Sequence, residues 1–458
     1  MTKHPGPMQR DPGYHTAMPN SSHLHTDTPT SAVATGDTPD AAEPHNRQAF
    51  LRILWLVGVG FFIQTIATDS GIASLPIKLL LKNHLHRDAQ EVSGFLAIAN
   101  IAWYLKPVAG TVADNVTIGG SRYRNYLLIG ALGAAFAWVA MGLVPQTYQL
   151  LLVTFVVVNV LLMLISTVLG GYMVIEGREY KATGRLGSFR NSAMMAATLV
   201  AGPISGYLAG VQFGWTAGIN AGLCVMFFAY VFAAVREKPV PRTADTASPW
   251  RKLAGEFQPL LRARTFWAAV GMTFLLMVMP GFGTPFLYYQ TDQLKLSTQF
   301  IGNLGLVSSA MGIVGGAAYL VFCRRIPLRT MLAISIVVSA FSTALYELYR
   351  GPTSAIIIEA TNGLLSALPA IALFDLAARA APERSASLSY SLLMAVYNFG
   401  IRVSDIAGSV LHDRAHMSIF TLIWISAGTT LLTLIAVPFL PRALVDYPDG
   451  EPAPEEPT

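Results

Sequence analysis

The chain has 458 residues, of which 53% are hydrophobic and only 12% are charged, and its formal net charge is +5. Soluble domains carry about 25% charged residues, so this composition excludes an ordinary soluble enzyme or binding domain and indicates an all-α membrane protein. The positive charge does not indicate nucleic-acid binding. The basic residues lie in short loops between apolar segments, where they fit a surface of anionic membrane lipid.

The first 46 residues have no apolar run and contain five of the nine histidines, among them His4 and His45. Such a segment cannot bury enough surface to order itself, and it lacks the short apolar core of a secretory signal. We predict a disordered cytoplasmic N-terminal tail over 1–46, and we favour it over loose metal binding by the histidines. The acidic, proline-containing residues 442–458 are predicted to form a second disordered cytoplasmic tail.

Between the tails, about twelve apolar segments are long enough to cross a membrane, which takes roughly 20 helical residues. Their approximate bounds are 50–76, 92–113, 125–144, 149–173, 188–210, 215–235, 266–288, 299–322, 330–348, 354–377, 388–411 and 417–440. The longest polar break, 236–264, is predicted to be a cytoplasmic linker. It divides the chain into an N-terminal six-helix bundle, 47–235, and a C-terminal six-helix bundle, 265–441.

Basic residues alternate between the loops. The linker and the loop with Arg122 and Arg124 are basic, whereas the loops at 145–148 and 211–214 contain no Lys or Arg. The positive-inside rule therefore places both tails and the linker on the cytoplasmic side, and we expect a multi-pass protein of the plasma (inner) membrane. Six plus six helices with a long cytoplasmic middle is the plan of the major facilitator fold, whose halves are related repeats.

A weak internal echo supports this plan, because small residues recur at the ends of segments five and eleven. Segment five ends with Gly202-Pro-Ile-Ser-Gly206, and segment eleven ends with Ser404-Asp-Ile-Ala-Gly408. Small residues at such spacing let helix backbones approach closely. They serve either simple helix packing or the rocking of two bundles, and the sequence leaves both possibilities open.

Segment two and the loop after it carry the most informative motif. Lys106 stands inside an apolar segment, and a charge at membrane depth is costly and usually faces a cavity or a partner. Small, acidic and basic residues follow at the spacing with which many transporters latch two helices at the cytoplasmic surface: Gly110, Asp114, Gly120, Arg122 and Arg124. We predict that these five residues, the gate motif, make contacts that break as two halves rock.

The run Trp103-x-x-Lys106-Pro107-x-x-Gly110-x-x-x-Asp114, with Gly120-x-Arg122-x-Arg124, resembles the signature of the folate–biopterin transporter family within the major facilitator superfamily. Further likeness lies at 75–82, Glu176, 186–190, 285–289, 300–302, 381–384 and 391–400. The resemblance covers most of residues 50–440. It implies a secondary active transporter that works by alternating access and takes up a folate- or pterin-like anion together with protons. We expect a monomer without a cofactor or a bound metal.

One departure from the family concerns segment four. The family usually has an acidic residue facing the cavity about five residues before the position of Glu176. This chain has Val-Leu-Gly-Gly-Tyr at 168–172 instead. Either another carboxylate such as Asp69 takes over that role, or the cargo or its coupling differs.

Two intramembrane charges in the N-terminal half are candidates for the substrate or proton pathway. Asp69 lies about 18 residues into segment one and so in the outer half of the bilayer. A carboxylate there suits proton uptake and release, or hydrogen bonding to the amino-pyrimidine edge of a pterin; packing against a neighbouring helix is the alternative. Lys106 binds a cargo carboxylate, pairs with Asp69 or Glu176, or extends its ammonium to the interface.

Further candidates are charged residues in segments five and eleven. Arg402 and Asp405 share one helix face, so they either neutralise each other or leave Arg402 to grip a cargo carboxylate bidentately. Arg190 is a possible partner of Glu176, with gating and stability as equally good roles.

Trp103 and Tyr397 are candidates for stacking on a flat heterocycle, although aromatic residues in membrane helices more often pack or face lipid. Asn398 follows Tyr397 within the stretch 391–400 that resembles the family. We include all three residues in the predicted substrate or proton pathway.

Three alternatives remain open. A major facilitator exporter of amphipathic drugs or other metabolites fits a broad apolar cavity but not the clustered cations. An intramembrane enzyme is disfavoured, because the spans contain no His-Glu-x-x-His, no Gly-x-Ser-x-Gly and no paired metal ligands. A receptor-like binding protein on the same fold would differ only in failing to transport.

Overall fold

The computed structural model describes residues 42–115, 118–121, 123–180, 182–235, 255, 257–258, 260–322, 325–380 and 386–447. Within these ranges the regular structure is helical, apart from an isolated bridge between Ile118 and Ser121. Residues 48–458 make one compact unit, separate from residues 1–47. Of the predicted tails, residues 1–41 and 448–458 lie outside the described residues.

The described helices before the predicted linker are α1 (Ala42–Ala67), α2 (Ser74–Leu79), α3 (Ala89–Ala99), α4 (Ile101–Tyr104), α5 (Lys106–Asn115), α6 (Arg124–Leu143), α7 (Tyr148–Glu179), α8 (Thr183–Leu208) and α9 (Phe213–Ala234). Those at its end and beyond are α10 (Arg264–Met277), α11 (Gly283–Tyr288), α12 (Thr298–Phe322), α13 (Leu328–Ala344), α14 (Pro352–Ala380), α15 (Ala386–Asp413), α16 (Ile419–Leu432) and α17 (Arg442–Val445). This order confirms the prediction of an all-α membrane chain.

Eight of the described helices are long and apolar enough to cross a membrane. The four remaining predicted segments are helical but interrupted or charged. Segment two is divided into α3, α4 and α5, segment seven into α10 and α11, and segments five and eleven are α8 and α15, which contain Arg190 and Arg402. These helices are consistent with twelve crossings, and the number twelve remains a prediction.

Segments one and seven have the same unusual construction. The six-residue helices α2 and α11 each run on into a five-residue π-helical turn, at Leu80–His84 and Tyr289–Gln293. Each turn is followed by a residue with left-handed backbone, His86 with a φ of 51° and Lys295 with a φ of 53°. Each of these features in segment seven follows its counterpart in segment one by the same number of residues. Such a recurrence is typical of the related repeats from which transporter halves are built.

The predicted halves meet through α8 against α12 and through α15 against α3, α4 and α5. At the α8–α12 crossing, a Cβ added at Gly302 would lie 2.5 Å from the carbonyl oxygen of Gly202 and 2.7 Å from Cα of Gly206. Gly408 approaches Gly281 similarly closely, as α15 passes α10 and α11. Both members of the predicted echo, Gly206 and Gly408, therefore lie where two backbones touch.

The helical packing extends past residue 441, into the stretch predicted to be a tail. Leu444 and Val445 of α17 are buried, and Asp446 accepts a hydrogen bond of 2.5 Å from Nε of Arg329. Two apolar side chains supply enough surface to dock this short helix before the acidic residues begin. At the end of the predicted linker, Leu260 is likewise buried.

Candidate functional site

Asp69 and Arg402 form an ion pair at the junction of the predicted halves. Arg402 of α15 donates from Nη2 to Oδ2 of Asp69, which lies in the turn after α1. Asn100, between α3 and α4, donates to the same oxygen over 3.1 Å. Asp69 is only 8% exposed. A buried carboxylate is costly unless it is paired and hydrogen-bonded, and here both requirements are met.

Asp405 lies one turn beyond Arg402 but binds elsewhere. Its Oδ1 accepts from the backbone N–H of Thr284 over 2.9 Å, and its Oδ2 accepts from the hydroxyl of Thr284 over 2.6 Å. Of the two possibilities left open by the sequence, mutual neutralisation of Arg402 and Asp405 is not formed, and each residue has a separate partner. Arg402 reaches across to Asp69, and the free N–H groups at the start of α11 attract Asp405.

Lys78 of α2 belongs to the same group of charges, although sequence reasoning noted it only within the stretch 75–82. It lies within electrostatic range of Asp405, Arg402 and Asp69. Its position in an apolar run directly after Pro76 and Ile77 is the signal that would have identified it, because intramembrane lysines are rare. The group therefore joins two acidic and two basic side chains.

Lys106 is held within the N-terminal half. It donates to Oγ of Ser166 on α7 over 2.9 Å, and its ammonium lies 5.5 Å from the centre of the Trp103 ring. Trp103 donates from Nε1 to Oδ1 of the buried Asn159 over 3.0 Å. Among the described residues Lys106 has no carboxylate partner, so neither predicted pairing, with Asp69 or with Glu176, is formed. Ser166 and Asn159 are polar residues in an otherwise apolar helix, a signal that sequence reasoning did not use.

Glu176 and Arg190 lie on α7 and α8. Glu176 lines a cavity of about 600 Å³ together with Arg52, Tyr172 and Tyr230. The guanidinium of Arg190 lies 4.6 Å from the centre of the Phe61 ring, a cation–π contact, and within electrostatic range of Lys106.

Tyr397 and Asn398 take different positions on α15. The Tyr397 ring packs on Phe374 with centroids 5.7 Å apart, whereas Asn398 is exposed. The next residue, Phe399, places its ring edge-on to Tyr104 at 5.5 Å. Aromatic packing thus joins α15 to α4 just before Arg402, and the proposed stacking of Tyr397 on cargo remains a prediction.

The gate motif is described in part. A Cβ at Gly110 would lie 3.5 Å from Thr167 on α7, and Gly120 has a φ of 78°, which favours glycine. Arg124 donates to the carbonyl oxygen of Phe232 over 3.3 Å. The side chain of Asp114 and the whole of Arg122 lie outside the described residues, so their gating contacts remain predictions.

At the ends of α2 and α11, the two π-helical turns bind each other. Lys82 on the first turn forms an ion pair with Asp292 on the second and donates to Oγ1 of Thr291 over 2.6 Å. Sequence reasoning did not select these residues, because nothing in their local pattern indicates that they meet. The turns are the repeated elements described above, so the contact joins corresponding parts of the two halves.

Two further hydrogen bonds join the halves at this end. The hydroxyl of Tyr288 donates to the carbonyl oxygen of Arg87 over 2.5 Å, and the backbone N–H of Gln90 donates to Oδ2 of Asp413 over 2.6 Å. Burial raises the pKa of Asp413, although its hydrogen bond with Gln90 opposes the shift. Together with the Lys82 contact, these bonds connect the two halves at this end.

Comparison with known proteins places these observations in a family, because residues 68–348, more than half of the chain, match the BT1 family. The chain belongs to the BT1 family. This BT1 protein is 26% identical over 413 residues to a folate-biopterin transporter of Synechocystis, covering 83% of this chain and 79% of the relative. It is 22% identical over 356 residues to folate transporter 1 of Plasmodium falciparum, covering 74% and 69%.

Solved structures are similar to the BT1 protein over most of its length. A D-xylose–proton symporter matches with a TM-score of 0.65 at 11% identity, over 85% of this chain and 97% of that one. A peptide transporter, POT, matches with a TM-score of 0.66 at 12% identity, over 84% and 94%. At these identities the likeness shows the fold alone, which is the major facilitator fold. The BT1 protein is thus a multi-pass membrane transporter, and its family and neighbours are transporters rather than enzymes.

Proposed function

We propose that this BT1 protein takes up folates, pterins or similar anionic heterocycles by alternating access, together with protons. The likeness to the Synechocystis folate-biopterin transporter over most of both chains is the observation that carries the proposal. The charges that join the halves add support, since a transporter site lies at the interface of its repeats.

Alternating access is supported by the contacts at the ends of α2 and α11. We propose the plasma membrane as the protein's location, with these ends outside the cell and both termini inside, an orientation that the positive-inside rule supports. The ion pair of Lys82 with Asp292 and the bond of Gln90 with Asp413 then close the extracellular side. In the transport cycle these contacts break as the halves rock, and the gate motif closes the cytoplasmic side instead.

The Asp69–Arg402 pair offers a way for cargo to enter this cycle. A guanidinium binds a carboxylate bidentately, so a folate glutamate can replace Asp69 as the partner of Arg402. Asp69 is then free to accept N–H bonds from an amino-pyrimidine ring. This exchange removes the bridge between the halves when cargo binds, which couples binding to movement.

The chain has no acidic residue at 168–172, where the family usually has one. This is compatible with uptake of a folate- or pterin-like anion, because Asp69 already supplies a carboxylate at the junction. In this proposal the BT1 protein works as a monomer, and its partners are a small-molecule anion, protons and membrane lipid. No nucleic acid and no cofactor takes part.

The test is accumulation of labelled folate in proteoliposomes that contain the purified protein, with and without an inward proton gradient. Arg402→Gln removes the proposed cargo contact, and Asp69→Asn removes its carboxylate partner. Arg350→Gln is the matched control, because Arg350 pairs with Glu347 at the surface, away from the junction.

Gradient-driven uptake by the wild-type protein and by Arg350→Gln, with loss in both junction variants, is the expected result. Uptake that continues unchanged in Arg402→Gln would remove that residue from the cargo site. If folded wild-type protein moves neither folate nor pterin, the proposed substrate is wrong. Drug-driven efflux in the same vesicles would instead favour the exporter.

A further inference from the structure

A second polar cavity lies within the C-terminal half, away from the Asp69–Arg402 pair. It holds about 390 Å³ and is bordered by α11 and its π-helical turn, α12, α13 with the 3₁₀ turn Leu345–Leu348, and α14. Four polar side chains line it: Gln290, Thr343, Glu359 and Asn362. Tyr346 also lines it, and the Phe282 and Phe286 rings lie 5.4 and 5.1 Å from the Tyr346 ring. We call this space the Glu359 cavity.

Glu359 is the acidic residue among the described lining residues of this cavity. Its Oε1 accepts a hydrogen bond of 3.2 Å from the hydroxyl of Tyr346. Within the described residues it forms no ion pair with Lys, Arg or His. Glu359 therefore differs from Asp69, which Arg402 neutralises.

The groups that face Glu359 from the surrounding elements are neutral. Tyr346 and Tyr349 are the titratable neighbours, and the described lining residues of α12 are Ile301, Leu304 and Gly305. The amides are already engaged, since Gln290 donates to the Tyr349 hydroxyl over 2.7 Å and Asn362 accepts from Ser342 over 2.7 Å. They frame the carboxyl group without supplying a positive charge.

This arrangement suits a carboxyl group that binds and releases one proton. An ionised carboxylate at membrane depth without a cation costs several kcal/mol, and a proton removes that cost. A metal ion fits less well, because hard cations require about six or more oxygen ligands, usually with more than one carboxylate. Among the described lining residues Glu359 is the single carboxylate.

The start of α11 connects this cavity to the junction of the halves. Gly283 lines the cavity, and a Cβ placed on it would lie 3.3 Å from Oδ1 of Asp405. The next residue, Thr284, holds Asp405 through two hydrogen bonds. Asp405 lies one turn from Arg402, the partner of Asp69. Glu359 thus lines the same cavity as the helix end that holds Asp405.

We propose that Glu359 is the proton-binding group that couples transport to the proton gradient, in place of Asp69. The inference rests on the proposed function, because it assumes proton-coupled uptake. The proton enters the cavity, joins the carboxylate of Glu359 as the neutral acid, and leaves to water when the cavity next opens.

Two measurements on purified full-length protein test the proposal. The first compares folate counterflow without a gradient with gradient-driven accumulation in proteoliposomes. Glu359→Gln imitates the protonated acid, so counterflow should stay within about threefold of wild type. A one-unit pH gradient should no longer drive the roughly tenfold accumulation that it can support. Glu347→Gln is the matched control, since Glu347 lies near the same end and pairs with surface Arg350.

The second measurement needs no cargo. The infrared difference spectrum between acid and alkaline pH should contain one protonated-carboxyl component that the wild type and Glu347→Gln share and that Glu359→Gln has lost. An unchanged band in Glu359→Gln overturns the proposal, as does full accumulation by that variant. If Asp69→Asn abolishes accumulation but keeps counterflow while Glu359→Gln accumulates normally, Asp69 is the coupling group. Absence of wild-type folate counterflow defeats only the proposed function, because the infrared result still decides on Glu359.

Discussion

Asp69 and Arg402 are separated by 333 positions in the chain, yet they form the ion pair where the two halves of this BT1 protein meet. Asn100 binds the same carboxylate oxygen over 3.1 Å, so three segments of the chain converge on one atom. The packing of these three segments therefore decides whether the buried Asp69 carboxylate has a partner for its charge. Removing one partner leaves the other charge unpaired, a much larger perturbation than removing both.

We expect Arg402→Gln to lower the free energy of unfolding by about 3–5 kcal/mol, because it leaves the Asp69 carboxylate buried without its ion-pair partner. The double variant Asp69→Asn/Arg402→Gln should recover part of this loss, since it contains no unpaired charge. Thermal unfolding in detergent measures both effects, with Arg350→Gln as a surface control. Simple additivity of the two single substitutions would contradict the pairing.

The second prediction concerns the α8–α12 crossing. Gly302→Ala adds a Cβ that would lie 2.5 Å from the carbonyl oxygen of Gly202, so the two helices must separate. We expect it to destabilise the protein by about 1–3 kcal/mol, even though alanine favours helix more than glycine does. Gly218→Ala is the control, because a Cβ there meets no atom within 4 Å. The unfolding temperature should fall in the first variant and hold or rise in the second; equal shifts would exclude the close contact.

The third prediction concerns the bond between the π-helical turns. Because 57% of the Asp292 side chain is exposed, its pair with Lys82 is worth only about 0.2–1 kcal/mol. Lys82→Gln should therefore shift the balance towards an open end by about 1.4- to fivefold. Spin labels on Asn83→Cys and Gln293→Cys, both exposed positions, measure the separation across this end.

The charge exchange Lys82→Asp/Asp292→Lys is the matched control, since it restores an opposite pair. It should return the measured distances towards those of the wild type. A distance distribution that Lys82→Gln leaves unchanged would show that this contact does not hold the end closed.

The fourth prediction concerns pH. Since burial raises the pKa of Asp413 in the closed end, the closed form holds its proton more tightly than an open form does. The contribution of Asp413 to closure is thus complete below its ordinary pKa and is lost as the pH rises through the raised value. Asp413→Asn keeps an oxygen for the Gln90 amide but cannot titrate.

The closed fraction of the wild type should therefore fall, relative to Asp413→Asn, as the pH rises above the ordinary pKa of an aspartate and through the raised pKa of Asp413. The same pair of spin labels reports it. Parallel pH curves for the two proteins would contradict the assignment. A closed fraction that rises with pH in the wild type, relative to Asp413→Asn, would show that the pH effect of Asp413 has the opposite sign.

The composition and the loop charges were sufficient to predict an all-α membrane protein, and the motif from Trp103 to Asp114 was sufficient to indicate the family. These properties depend on residue type and short-range spacing, which a sequence displays directly. Hydropathy is less informative for segments two and seven. There the helices are interrupted, and the polar groups of an interrupted helix need partners from other segments.

Which charges meet was decided by the tertiary structure alone. The spacing of Arg402 and Asp405 left open a local pair or a cargo contact for Arg402. In the structure Arg402 binds Asp69, and the start of α11 binds Asp405. Glu359 has a neighbourhood built from three other helices, α11, α12 and α13, and the turns that adjoin them, which the sequence around it does not indicate. The sequence by itself determined that this chain lies in a membrane, that it is all-α and to which family it belongs, because these properties follow from local pattern. The partners of its buried charges depend on how distant helices pack, and a buried charge takes whichever partner the packing brings within reach.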